Sequence, residues 1–88
     1  MAKQPPNERK LQPQQKRIIR YSYEVLTGQY DPPWVAEAPE AVQQAYLAGK
    51  EMALTEIITA MYSGSKRFTP EVWKRELFEY HRKMKDTQ

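Results

Sequence analysis

Proline placement constrains this chain more than any other feature. Seven prolines stand at positions 5, 6, 13, 32, 33, 39 and 70, and a proline inside a helix removes one hydrogen bond and clashes with the preceding turn. What remains is a set of proline-free stretches, and each carries apolar residues at helical spacing. No segment requires a strand. The expected fold is all-α, a small three-helix domain over residues 13–88. Its helices are expected at about 13–27, 39–62 and 70–85, with a Pro-Pro linker between the first two. Residues 1–12 hold Pro5, Pro6, several Gln and, after Met1, only Leu11 as a large aliphatic residue. Such a stretch has too little apolar surface to offset the entropy of ordering and reads as a flexible basic arm.

Local signals mark the ends of each helix. Pro13 suits a first turn, and Gly28 falls where a left-handed cap would follow Thr27. In this first helix Ile18, Ile19, Ser22, Val25 and Leu26 share a face opposite Lys16, Arg17 and Arg20. The stretch Gln29 to Trp34 has no period and reads as a stiff, extended linker with Trp34 as its anchor. Pro39 and Glu40 open the second helix, which Ser63-Gly64-Ser65 ends. Thr69, Pro70 and Glu71 form the strongest start signal, an N-cap followed by a first-turn proline and an acid near the positive helix end. Trp73, Leu77, Tyr80 and Met84 then make one face of the third helix, and its C-terminal turn is rich in cations.

The second helix is apolar on two sides. Ala41, Ala45, Gly49 and Ala53 recur every four residues as a ridge of small side chains, extended by Val42, Tyr46, Ile57 and Ala60. Leu47, Leu54, Ile58 and Met61 form another stripe. A helix of this kind belongs between two neighbours. They are either the other two helices, or one of them and a partner.

Length and composition narrow the chemistry. A domain of 88 residues has a thin core, burying only about 60% of its unfolded surface. With no cysteine and a single histidine, His81, neither disulfides nor the usual nitrogen and sulfur metal sites can form within one chain. His81 borders the Trp73 face and reads as a structural edge residue. Gly64-Ser65-Lys66-Arg67 has the wrong order for a phosphate loop and follows a helix, so it reads as a flexible connection. Glu51 and Glu56 are spaced as solvated charges. The expectation is a non-enzymatic protein without a cofactor. With no apolar run near the roughly 20 residues of a membrane span, it is expected in the cytoplasm and not in a membrane.

The net charge of +3 divides unevenly. Residues 1–20 hold six cations against Glu8, residues 21–64 hold Lys50 against six acids, and residues 65–88 hold seven cations against four acids. Basic ends around an acidic middle suit an anionic partner, and equally a chain whose ends attract its own centre.

Two binding readings follow. In the first, the outward side of the third helix presents Lys74, Phe78, Arg82 and Lys85 with Arg75 beside them, a ring among cations that suits phosphates and a stacked or inserted base. The arm and the back of helix one add Lys3, Arg9, Lys10, Lys16, Arg17 and Arg20 near Tyr21 and Tyr23, although Arg20 and Glu24 are spaced for a local pair. The plain alternative is that these cations are simply solvated and Phe78 packs on the linker or the first helix. A helix-turn-helix reader is disfavoured, because Ser63 to Thr69 spans seven residues where three or four are usual, leaving only a long-loop variant. Together these features point to nucleic acid or a nucleoprotein complex. In the second reading the chain is an adaptor, assembly factor or small inhibitor. It would dock a protein through Tyr30, Trp34, Leu47, Leu54, Ile58 and Met61, or pair with a second copy as a homodimer.

Overall fold

The computed structural model describes residues 11–86. The expected arm over 1–12 lies outside them except for its last two residues, and these are not arm-like. Leu11 is half-buried against the core, and Gln12 caps the first helix, its backbone N–H donating to Gln15 Oε1 at 2.9 Å. One apolar side chain and one cap are enough to dock the entry of the chain.

Helix α1 spans Pro13–Leu26, α2 Pro33–Glu37, α3 Glu40–Met61 and α4 Pro70–Asp86. No strand occurs among the described residues. The fold is all-α, with one element more than expected. The short α2 lies where the linker gives way to α3. Pro33 stands at its first helical position, where the missing N–H would have no helical partner anyway, so the two prolines open a turn of helix instead of forbidding one. Its C-terminal carbonyls are taken up by Gln43 of α3, whose Nε2 donates to Val35 O at 2.8 Å and to Ala36 O at 3.2 Å. The anchor of this segment is Val35, 8% exposed, and not Trp34, which is 52% exposed and lies edge-on to Tyr46 with ring centroids 5.5 Å apart.

Helix ends follow local chemistry. Gly28 takes a φ of 91° after α1, a conformation open to glycine at little cost. At the start of α4 the Val72 N–H donates to Thr69 Oγ1 at 3.3 Å. Phe68, just before this cap, and Trp73, four residues after it, are both 1% exposed and share the core. They form a hydrophobic staple that sets the angle at which the chain enters α4.

Helix α1 packs on both α3 and α4, and α3 and α4 also meet. The core is Ile19, Leu54, Ile58, Phe68 and Trp73, with Ile18, Leu26, Leu77 and Tyr80 packed around it. The expected face of α4 is therefore the buried one. One charged residue ties the α3 side to the end of α1. Lys50 Nζ donates to Val25 O at 2.8 Å and to Asp31 Oδ1 at 2.9 Å, with its side chain only 13% exposed. A cation at the carbonyl end of α1 gains from the helix dipole as well as from the carboxylate.

Candidate protein-docking groove

Helices α3 and α4 leave a trough between them. On α3, two neighbouring rows at four-residue spacing face it: Leu47, Glu51 and Thr55, then Ala48, Met52 and Glu56. On α4 the matching rows are Trp73, Leu77 and His81, then Lys74 and Phe78. Tyr23, Leu26 and Thr27, at the C-terminal end of α1, complete the lining. The groove holds about 750 Å³, within the range of about 300–1,000 Å³ found for binding pockets.

Its floor is packed and its rim is open. Trp73 is fully buried below, and Tyr23 is held edge-on to Tyr80 and to His81, at centroid distances of 5.2 and 5.5 Å. At the rim, Met52 is 65% exposed and Phe78 is 64% exposed. Two large apolar side chains standing opposite one another over an apolar floor form a patch that a monomer seldom leaves uncovered. The walls differ in charge. The α3 side carries Glu51 and Glu56, and the α4 side carries Lys74.

The residues singled out from sequence are divided by the fold. Phe78 is 64% exposed and shares its groove with Tyr23, Leu26 and Thr27 of α1 and with two carboxylates. Lys74, Arg75, Arg82 and Lys85 are all exposed, but Arg82 is paired with Glu79 at 2.8 Å and Arg75 stands 3.9 Å from Glu76. Lys16, Arg17 and Arg20 are exposed on α1. Since α1 and α4 pack through Ile19, Ser22 and Trp73, the two cation sets point away from the shared core. The Arg20–Glu24 pair forms at 3.2 Å. Glu24 also accepts from the Tyr30 hydroxyl at 2.7 Å, which pulls its carboxyl below the usual range and, reciprocally, raises the Tyr30 phenol above its own.

Of the residues assigned to protein docking, Leu54 and Ile58 are not available. They are 6% and 1% exposed and form the core, because this is the side of α3 that meets α1 and α4. Leu47 is half-buried and lines the groove. Tyr30, Trp34 and Met61 are exposed, on surfaces other than the groove. Met52 and Leu77 also belong to the groove, and nothing in their sequence spacing marks them for binding. Met52 falls outside both apolar stripes of α3, so only the angle between α3 and α4 gives it a partner surface.

Among the described residues no three His, Asp or Glu side chains are grouped to hold a metal ion, and no helix is long and apolar enough to cross a membrane. No family model, curated protein or solved structure matches the chain.

Proposed function

We propose that the protein is a non-enzymatic binding module that receives an amphipathic helical segment of a partner protein in the groove between α3 and α4. The observation that carries this reading is the facing pair Met52 and Phe78, both about two-thirds exposed above a floor of Leu47, Leu77 and Trp73. A helix laid there completes a four-helix arrangement, burying its own stripe against theirs. Methionine at such a rim adapts to different apolar side chains. The wall charges select an orientation. The incoming helix carries cations along the edge facing Glu51 and Glu56, and acids along the edge facing Lys74.

An anionic partner is a second reading, supported by the exposed Lys74, Arg75, Arg82 and Lys85 on α4. A base stacked on Phe78 would bring its phosphates near Glu51 and Glu56, which disfavours that use of the ring. A nucleoprotein target, with its protein component in the groove and its phosphates along the outer side of α4, accommodates both features.

The test is a titration of isotope-labelled protein with an amphipathic helical peptide bearing a leucine stripe, one basic edge and one acidic edge. Methyl signals of Leu47, Met52 and Leu77 should move, and Phe78→Ala should weaken binding by about tenfold or more, as removal of a central aromatic anchor does. A peptide with its edge charges exchanged should bind less well. If millimolar peptide leaves these methyl signals in place, the groove is not a helix receptor and the reading fails.

A further inference from the structure

The outward side of α1 begins in cations and ends in aromatic rings. Arg17 is followed one turn on by Arg20 and Tyr21, and then by Glu24, with Lys16 at the Arg20 edge. The turn through Gly28, at a φ of 91°, folds the chain back toward this face, and Tyr30 arrives beside Tyr21. The two ring centroids are 6.0 Å apart and the rings are inclined by 33°. They are 53% and 56% exposed, so each ring keeps about half of its surface open to solvent. Glu24 is the only acid of α1, and both of its oxygens are taken. Oε2 accepts from Arg20 at 3.2 Å and Oε1 accepts from the Tyr30 hydroxyl at 2.7 Å. The carboxylate is thus offset by a cation, and it holds the Tyr30 ring in place. Lys16 and Arg17 are exposed and make no ion pair among the described residues.

We propose that this face binds single-stranded nucleic acid, with a base stacked on the Tyr21–Tyr30 pair and the neighbouring phosphates on Arg17 and Lys16. Single strands are held by aromatic rings that stack on bases and by cations that follow the backbone. Here Arg17 stands one helical turn from Tyr21 on the same side of α1, close enough for one nucleotide segment to meet both. The Tyr30 ring is already fixed by Glu24, so little side-chain freedom is lost on binding. Three cations against Glu24 leave the face at +2, and the sequence just ahead of α1 adds Lys3, Arg9 and Lys10 against Glu8. That excess suits a uniformly anionic chain better than a protein surface of mixed charge. A duplex fits less well, because its base faces are hidden in the stack and only base edges show in its grooves. The face shares no residue with the lining of the α3–α4 groove, so the two readings stand or fall separately.

The test is fluorescence anisotropy with dye-labelled oligo(U) and oligo(dT) of about 12 nucleotides, within the usual site sizes for single strands, beside a duplex of the same length. At least one single strand should bind more tightly than the duplex, and the tighter of the two identifies RNA or DNA as the partner. Tyr21→Ala should weaken that binding by about tenfold, the loss of one stacked base, and leave the log–log salt slope unchanged because no charge is removed. Arg17→Gln should weaken it and lower the slope by about 0.7. Tyr30→Phe keeps the ring but frees it from Glu24, so its affinity should fall between those of the native chain and Tyr21→Ala. All three positions are exposed, and circular dichroism should be the same in every variant. Phe78→Ala removes the anchor of the groove and should leave oligonucleotide affinity as it is. Absence of binding to either single strand at about 50 mM salt, where even non-specific contacts should be visible, overturns the proposal. So does a duplex that binds as tightly as the single strands. A loss seen only when Lys74, Arg82 and Lys85 are replaced, and not with Tyr21→Ala or Arg17→Gln, overturns it as well.

Discussion

The indole N–H of Trp73 donates to the hydroxyl of Ser22 at 3.0 Å across the α1–α4 contact, and Ser22 in turn donates to Ile18 O at 2.7 Å. Both residues are sealed from solvent, at 1% and 0% exposure. The hydroxyl thus satisfies the one polar atom that the largest core side chain brings inside, and has its own proton taken up by the helix it sits on.

Ser22→Ala should therefore cost about 1–3 kcal/mol, the desolvation penalty of a buried donor left without a partner. Trp73→Ala should cost about 3–5 kcal/mol, the usual range for losing a buried large aromatic. Urea denaturation of the single and double variants checks this. Ser22→Ala should add little to Trp73→Ala, because the donor is already gone, and full additivity would show that the bond contributes nothing.

Phe68 lies in a connection between helices, where side chains are usually replaceable, but it is as deeply buried as Trp73. Phe68→Ala should destabilise by about 3–5 kcal/mol. A shift in thermal midpoint of a degree or two would mean that the connection does not enter the core.

Lys50→Met should destabilise by about 1–3 kcal/mol, since a largely buried carboxylate and a helix-end carbonyl lose a charged donor. Asp31→Asn should cost less, because Lys50 keeps Val25 O. Equal losses in the two variants, measured by denaturant midpoints, would count against this ordering.

For the pair Glu24 and Tyr30 the direction of the shifts sets two pH windows. The Glu24 carboxyl is depressed, so what it contributes is present above the ordinary carboxylate range and is lost as pH falls through its lowered value. The Tyr30 phenol is raised, so its contribution is present below the ordinary phenol range and is lost as pH rises through its elevated value. Tyrosinate absorbance should show Tyr30 ionising later than a free tyrosine, and Glu24→Gln should bring it back. If Glu24→Gln leaves the curve unchanged, the hydrogen bond is not what holds the phenol.

The anionic-partner reading has its own test. Replacing Lys74, Arg82 and Lys85 with Gln should weaken nucleic-acid binding and lower the log–log salt slope by roughly one unit per phosphate contact on duplex DNA, or about 0.7 on a single strand. Phe78→Ala should leave that slope nearly unchanged. Lack of binding to DNA or RNA at about 50 mM salt, where even non-specific binding should be visible, removes this reading and leaves the groove.

The helix ends and the buried face of α4 were legible in the sequence because they depend on neighbours within a turn or two. Pro13, Gly28, Thr69 and Pro70 act on backbone groups beside them, and the four-three-four spacing of Trp73, Leu77, Tyr80 and Met84 needs no knowledge of what lies opposite. Phe68 was within reach of the same logic, as the apolar residue before an N-cap with Trp73 four positions after it. The two apolar sides of α3 could not be ranked, because periodicity shows how many faces a helix has and not which one a neighbour occupies. That choice rests on contacts between residues far apart in the chain, such as Trp73 with Ser22, 51 positions away, and Lys50 with Asp31, 19 away. The groove is a still later consequence, since Met52 and Phe78 face each other only once α1 has fixed where α3 and α4 stand.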